Sequence, residues 1–220
     1  MTVYLHALPK RRLGAKALTP WAGVRSPIAT DAQNKLNALD AAIRPIKTGY
    51  TMLGQALTVR AMAGDITPLL HALSLARAGD VLMVDAGGYA DNAVLGGNMC
   101  NEAVRQGMAG LVIDGAIRDV SEIRDMDIPC FTRAVTPAGP NFSQIGDVGG
   151  PISCGGVQVK TGDLVIGDDD GITVVPKARL AAVLAVCQET LKAEAEWDRR
   201  INAGDSFAEI LDLPPMEPAP

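Results

Sequence analysis

The chain has 220 residues, of which 48% are hydrophobic, 20% charged and 4% aromatic, and its formal net charge is −5. These values predict one globular domain with an attached element and exclude a basic surface that could neutralise a phosphate backbone, so we expect no nucleic-acid partner. No apolar run is long enough to span a membrane, and no secretory signal pattern opens the chain. We therefore expect no membrane association and a cytoplasmic location.

The cysteine and histidine content excludes several classes of active site. The four cysteines form no C-x-x-C pair, which indicates reduced thiols and no zinc knuckle. The only histidines are His6, near the N-terminus, and His71, within a helical pattern. A Ser-His-Asp triad or a multi-histidine zinc site is therefore not expected, and acid–base chemistry falls to carboxylates and water.

The first half of the chain predicts alternating strands and helices. Residues 1–27 contain three prolines and little periodicity, which predicts an irregular N-terminal arm. Thr30 and Asp31 then predict the cap of a helix that runs to about Ala42. Apolar periodicity predicts the following elements: strands at 54–60, 81–84 and 111–113, and helices at 68–77 and 92–106. Two successive strand–helix–strand units indicate an α/β domain with parallel strand pairing.

The second half changes character. Short β-rich runs between residues 151 and 176 are separated by turn signals, and we interpret Asp168–Asp170 with Gly171 as a turn rather than a calcium loop. Helical spacing over 178–201 predicts one long C-terminal helix that stops near Gly204. The predicted organisation is an arm at 1–27, an α/β domain at 28–177, a helix at 178–204 and a tail at 205–220 with a disordered, proline-rich end.

A strand end at residues 112–119 carries the first candidate site. The apolar run Ala109–Ile113 leads into a loop that contains Arg118 and Asp119. Open α/β sheets present their chemistry at such strand ends, where the aspartate could hold a divalent cation while the arginine faces the substrate. The alternative is an ion pair or a cap for a helix that begins near Val120.

A glycine-rich segment at residues 85–99 is the second candidate. Glycines directly after a strand let the backbone turn tightly and approach a ligand. The N-terminus of the helix that follows offers unpaired N–H groups to an anion such as a carboxylate. The alternative is that Gly96 and Gly97 only permit close helix packing.

Together these motifs resemble the 4-hydroxy-4-methyl-2-oxoglutarate aldolase and RNase E regulator A family. The resemblance rests on residues 79–88, Leu95-Gly96, residues 109–119, Gly162-Asp163 and residues 168–171, and it extends from about Ile43 to Gly204. It implies an α/β/β/α sandwich of the swivelling-domain type, assembled as a homotrimer or a hexamer. The active sites of the family lie in clefts between subunits.

The resemblance also implies a chemistry. Asp119 would anchor Mg²⁺ or Mn²⁺, and Arg118 would neutralise the charge that develops on the keto oxygen of a 2-keto acid substrate. Gly96, Gly97, Asn98 and Met99 match the substrate-binding segment, with the backbone N–H groups of Asn98 and Met99 as a carboxylate cradle. The catalytic glutamate that a neighbouring subunit's C-terminal helix supplies would be Glu194, with Glu196 as the alternative.

One departure from the family pattern concerns residue 97. The aldolases carry an acidic residue twenty-one positions before the arginine, where this chain has Gly97. Asp91 or Asp114 could replace that carboxylate, or aldol cleavage could be weak or absent. Three hypotheses follow: a lyase that releases pyruvate from 4-hydroxy-2-oxo acids, a related enzyme such as an oxaloacetate decarboxylase, and a non-catalytic protein that binds a ribonuclease. The long C-terminal helix favours an enzyme over the shorter regulators.

Overall fold

A computed structural model describes residues 2–217 and residue 219. The elements, numbered in chain order, are strands β1 Val3–Leu5, β2 Arg44–Pro45, β3 Met52–Ala61, β4 Asp80–Asp85, β5 Ala93–Leu95, β6 Gly110–Ile117, β7 Cys130–Val135, β8 Gly146–Val148, β9 Ile152–Cys154, β10 Val157–Val159, β11 Leu164–Asp168 and β12 Gly171–Val175, and helices α1 Ala15–Leu18, α2 Ser26–Asp31, α3 Thr67–Leu75, α4 Gly97–Arg105, α5 Val120–Asp125, α6 Leu180–Asn202 and α7 Phe207–Ile210. The mixed α/β class and the long C-terminal helix are confirmed.

Ten of the described strands form one sheet, whose main order is β1-β8-β3-β4-β6-β7-β2. The central pairs β3–β4, β4–β6 and β6–β7 are parallel, as the strand–helix–strand pattern predicts. Strand β11 pairs with β3 and β12, both in antiparallel orientation. Strands β9 and β10 form a separate hairpin.

The central strands are buried on both faces, which explains their nearly continuous apolar sequences. In β4, Leu82 and Val84 pack into one core with the helices α3 and α4, whereas Val81 and Met83 pack into a second core with β9 and β10. Alternate residues of a strand point to opposite faces, so one short segment contributes to both cores. A third core joins α2, β11 and α6.

Three local predictions were wrong. The helix predicted to begin at Thr30 and run to Ala42 does not form: α2 ends at Asp31, and the chain then turns through left-handed backbone at Asn34, Lys35 and Asn37. The helix predicted at 92–106 begins only at Gly97, because Ala93–Leu95 pairs with β6 as a strand. The predicted irregular arm contains β1, α1 and the start of α2, and β1 pairs with β8 at one edge of the sheet.

The remaining predicted elements agree with the structure. Strands β3, β4 and β6 and helix α3 lie at the predicted places, and the turn at 168–171 joins β11 to β12. The helix α6 ends two residues before Gly204. All four cysteines are buried and free. Residues 213–217 have no regular secondary structure, while part of the predicted disordered end, residues 218 and 220, lies outside the described residues. None of the described helices combines the length and apolar character needed to cross a lipid bilayer.

Candidate active site

The candidate site forms where two neighbouring strands end. Strand β5 pairs with the last residues of β6, with Leu95 opposite Ile117, and the Arg118 N–H donates to the Leu95 carbonyl at 3.0 Å. The chain after β5 enters α4 through Gly96, and the chain after β6 enters α5 through Arg118 and Asp119. The short strand that sequence reasoning missed is therefore the element that brings the two predicted motifs together.

Asp119 adopts a left-handed backbone conformation, with φ 61° and ψ 33°. Aspartate tolerates this region better than most residues, and non-glycine residues held there are enriched at functional sites. The turn directs the Asp119 carboxylate onto the start of α4, where Oδ2 accepts a hydrogen bond from the Gly97 N–H at 3.0 Å. The same oxygen lies 3.6 Å from Nε of Arg118. The predicted ion pair with Arg118 is therefore present, whereas the predicted side-chain cap of α5 is not formed, because the carboxylate accepts its hydrogen bond from the N-terminus of α4 instead.

Gly96 and Gly97 leave room for these side chains. A Cβ atom at residue 96 would lie 2.6 Å from Oδ2 of Asp119 and 3.3 Å from Cγ of Arg118. A Cβ atom at residue 97 would lie 2.5 Å from Cδ of Glu122. Glycine at both positions therefore lets the side chains of Asp119, Arg118 and Glu122 approach the start of α4, and a larger residue would displace them.

The predicted carboxylate cradle is only partly available. The Met99 N–H donates to the Gly96 carbonyl at 3.1 Å, and the Gly97 N–H is used by Asp119. No hydrogen bond from the Asn98 N–H is found within the described part of the chain, as expected for an early helical position. Asn98 therefore provides the backbone donor that remains for an anionic ligand.

A cavity of about 210 Å³ contains these groups. Arg118, Asp119, Gly96, Asn98 and Met99 belong to its lining. The rest of the lining is apolar, and we call it the apolar wall: Ile66, Leu70, Ala93, Leu95, Pro140 and Phe142. Sequence reasoning did not find this wall, because its members come from α3 and the residue before it, from β5 and from a loop that is distant in sequence.

Asp65 holds the loop that carries Pro140 and Phe142. Its buried carboxylate accepts hydrogen bonds from the N–H groups of Thr67, Ser143 and Ile145 at 3.0–3.2 Å. Burial alone would raise the pKa of Asp65, but these hydrogen bonds outweigh it and lower the pKa below its ordinary value. The carboxylate therefore stays ionised and fixes the apolar wall.

The other carboxylates considered as replacements for an acid at position 97 lie elsewhere. Asp114 is buried and accepts hydrogen bonds from Nε of Arg133 and from the Gly155 N–H, both at 2.6 Å. Asp91 is exposed and is not part of the cavity lining. The carboxylate beside Gly97 is instead that of Glu122, which the sequence analysis did not single out. Glu122 is exposed and, like Asp91, is not part of the cavity lining.

The two C-terminal glutamates differ in their surroundings. Glu196 forms an ion pair with Arg199 on the same helix, at 2.5 Å. Glu194 is half-buried and has no hydrogen bond or ion pair among the described residues. Neither residue lines the cavity of its own chain.

Comparison with known proteins decides the family. Residues 27–174 match the RraA-like family, described as Aldolase/RraA. The chain belongs to the RraA-like family. A protein of Halalkalibacterium halodurans named "Putative 4-hydroxy-4-methyl-2-oxoglutarate aldolase" is 36% identical over 186 residues, which cover 84% of this chain and 87% of that protein.

Two further relatives represent the two named activities of the family. The 4-hydroxy-4-methyl-2-oxoglutarate aldolase of Thermus thermophilus is 39% identical over 100 residues, or 46% of this chain and 61% of that protein. The crystal structure of Streptomyces coelicolor RraAS2, an unusual member of the RNase ES inhibitor RraA protein family, superposes with a TM-score of 0.79 at 28% identity. That match covers 86% of this chain and all of the other. The family resemblance inferred from the sequence is thereby confirmed.

Proposed function

We propose that this chain is a divalent-metal-dependent lyase that cleaves 4-hydroxy-2-oxo dicarboxylic or tricarboxylic acids to pyruvate. The observation that carries the proposal is the convergence of Arg118, Asp119 and the free Asn98 N–H in one cavity. A cation site, a guanidinium and an anion-binding amide are the three groups needed to hold a 2-keto acid and to stabilise charge on its keto oxygen. The names of the relatives support the same activity.

The residues present fit Mg²⁺ or Mn²⁺ better than a metal held in a closed protein cage. No group of three or more histidine, cysteine, aspartate or glutamate side chains suited to a metal ion exists among the described residues. One of the Asp119 oxygens, Oδ1, accepts no hydrogen bond there, and a single hard carboxylate ligand suits an ion that keeps water and binds its substrate directly. A bound ion of this kind would supply Lewis-acid polarisation of the keto group.

The protein side chains would then act on the substrate in distinct ways. Arg118 is 44% exposed, so its guanidinium can donate to the keto oxygen as negative charge develops during carbon–carbon cleavage. A donor of this kind is worth about 3 kcal/mol of transition-state stabilisation. The Asn98 N–H would bind the substrate carboxylate at the positive end of α4.

The apolar wall favours one class of branch on the substrate. Ile66, Leu70 and Phe142 face the cavity without a charged group among them. A carboxymethyl branch placed against such a wall loses hydration without a partner, whereas a methyl branch does not. We therefore propose 4-hydroxy-4-methyl-2-oxoglutarate ahead of 4-carboxy-4-hydroxy-2-oxoadipate.

A homotrimer, or a hexamer of two trimers, would complete the site. Glu194 is the better candidate for a residue acting in trans, because it is unpaired among the described residues whereas Arg199 neutralises Glu196.

We likewise propose the α/β/β/α swivelling-domain architecture for each subunit. Light scattering after gel filtration tests the assembly, and Glu194→Gln should lower turnover while Glu196→Gln does not.

Two alternatives have their own support. Gly97 favours an oxaloacetate-type decarboxylase, because the acidic residue of the aldolases is missing there. The likeness to RraAS2 favours a ribonuclease-binding protein.

Pyruvate release separates these alternatives. The full-length protein is incubated with 4-hydroxy-4-methyl-2-oxoglutarate or oxaloacetate, with Mg²⁺ or with EDTA, and lactate dehydrogenase reports pyruvate. Metal without protein corrects for spontaneous decarboxylation. Mg²⁺-dependent release from the hydroxy acid supports the proposal, and release from oxaloacetate alone supports the decarboxylase. No release from either substrate, together with stable binding to a ribonuclease, supports the regulator.

A further inference from the structure

The space beside Gly97 is not empty. The carboxyl group of Glu122 fills the volume that a side chain at residue 97 would take, since an added Cβ would lie 2.5 Å from Cδ and 2.7 Å from Oε1 of Glu122. Atoms this close overlap, so a side chain at residue 97 would displace the flexible end of Glu122. The chain therefore has a carboxylate at this position in space, although its sequence has glycine.

The fold explains how Glu122 reaches that place. Helix α5 begins directly after Asp119, and Glu122 lies in its first turn. The Asn101 side chain, on α4, donates from Nδ2 to Oε1 of Glu122 at 3.3 Å and so links the glutamate to the neighbouring helix. Glu122 is exposed to solvent, and no cation pairs with it among the described residues.

Cys100 lies on α4 and is buried. Burial, together with the negative charges of Glu122 and Asp119, raises the pKa of its thiol to about 12. The thiol itself stays protonated near neutral pH and is not a nucleophile.

We propose that Glu122 is the second carboxylate of the active site, a positioning residue that accepts hydrogen bonds from water next to Asp119 and adds negative charge for a divalent cation. This inference rests on the proposed function, because it assigns Glu122 to the cation site of Asp119. Outer carboxylates of this kind orient the groups around a metal ion, and their loss costs about 10–100-fold in affinity or activity. Glycine at residue 97 is then the condition that lets Glu122 occupy its position.

If Glu122 supplies this carboxylate, moving the carboxylate from residue 122 to residue 97 should have a predictable effect on turnover. The single variant Gly97→Asp should displace Glu122 and should not raise turnover, because the site receives one carboxylate and loses another. Combining Gly97→Asp with Glu122→Ala should return a carboxylate to the same place without a clash. We therefore expect higher turnover from the double variant than from Glu122→Ala alone.

The test measures Mn²⁺ binding to the full chain, using the electron paramagnetic resonance signal of free Mn²⁺, and pyruvate release in parallel. Glu122→Gln should weaken Mn²⁺ binding and lower turnover by about tenfold or more. The matched control is Asp125→Asn, which removes an exposed carboxylate at the far end of the same helix and should change neither. Thermal unfolding of each variant confirms that the fold is intact.

The outcomes separate this inference from the proposed function. Mn²⁺ binding that is lost in Asp119→Ala but unchanged in Glu122→Gln would overturn the role of Glu122 and leave the cation site standing. A gain in turnover from Gly97→Asp alone would also overturn it, because residue 97 would then be free to accept a side chain. No Mn²⁺ binding by the wild-type protein would refute the proposed function and this inference with it.

Discussion

Adding one methyl group at Gly96 should disable the site without unfolding the protein. The Cβ atom of Gly96→Ala would lie 2.6 Å from Oδ2 of Asp119, whereas ordinary van der Waals contact begins at 3.4 Å. The carboxylate must therefore move by about 0.8 Å, the difference between these distances. Asp119 can move because its side chain is 42% exposed. The backbone of residue 96, with φ −152°, accepts alanine without strain.

The expected effect is large on turnover and small on stability. A misplacement of about 1 Å in a catalytic arrangement costs roughly 100-fold, or about 2.7 kcal/mol of transition-state stabilisation. The free energy of unfolding should change by less than about 1 kcal/mol, because the displaced carboxylate can turn into solvent.

The assay combines pyruvate release from 4-hydroxy-4-methyl-2-oxoglutarate with urea unfolding of the same samples. Gly14→Ala is the matched control, because a Cβ atom there would meet nothing within 4 Å. It should leave both turnover and stability unchanged. Wild-type turnover in Gly96→Ala would refute the reasoning, since a displaced Asp119 would then have no consequence for the reaction.

Three further predictions concern the guanidinium, the apolar wall and acid stability. Arg118→Lys keeps the charge but loses the planar donor fork, so turnover should fall by about 100-fold with an unchanged circular dichroism spectrum; activity within twofold of wild type would contradict the role of the guanidinium. Asp65→Asn removes an acceptor from the N–H groups of the loop at 143–145 and should lower the free energy of unfolding by roughly 1–3 kcal/mol, measured by urea titration. Burial alone would raise the pKa of Asp65 and Asp168, but hydrogen bonds lower both below the ordinary value. The stability from these two carboxylates is therefore complete above about pH 4 and is lost as the pH falls through their folded-state pKa values. Urea unfolding at pH 7, 5 and 3 checks this, and an equal loss at pH 3 in wild type and Asp65→Asn would contradict the assignment to Asp65.

Much of the sheet could be predicted from sequence because its central strands are buried on both faces. The runs that became β4 and β6 are mostly apolar, and β4 ends at Asp85 while Arg118 follows β6. The long helix α6 was equally clear from its helical spacing. In these elements local pattern and tertiary environment agree.

Elements that depend on distant partners could not be predicted. Strand β5 has only three residues, which read equally well as the first turn of α4, and only its pairing with β6 makes it a strand. The helix expected after Thr30 does not form, because the chain turns through left-handed backbone after Asp31 and then bridges from Ala38 to Thr173 of β12. Strand β1 exists because β8, more than a hundred residues later, offers an edge.

The candidate site was predictable in its motifs but not in its full composition. Arg118 and Asp119 stand at a strand end, and the glycines at 96 and 97 precede a helix, so both signals are local. Glu122 carries no such signal, because a glutamate in the first turn of a helix is common. Only the packing of α5 against α4 shows that its carboxylate fills the space beside Gly97.

The most direct test of the account is Mg²⁺-dependent pyruvate release by wild type and by Asp119→Asn, with Asp125→Asn as the control. Both variants remove one exposed carboxylate, from opposite ends of the same helical segment. If Asp119 holds the catalytic cation, 4-hydroxy-4-methyl-2-oxoglutarate yields pyruvate with wild type and with Asp125→Asn, EDTA abolishes the reaction, and Asp119→Asn is inactive. Turnover by Asp119→Asn that matches wild type, or wild-type turnover that persists in EDTA, would contradict it.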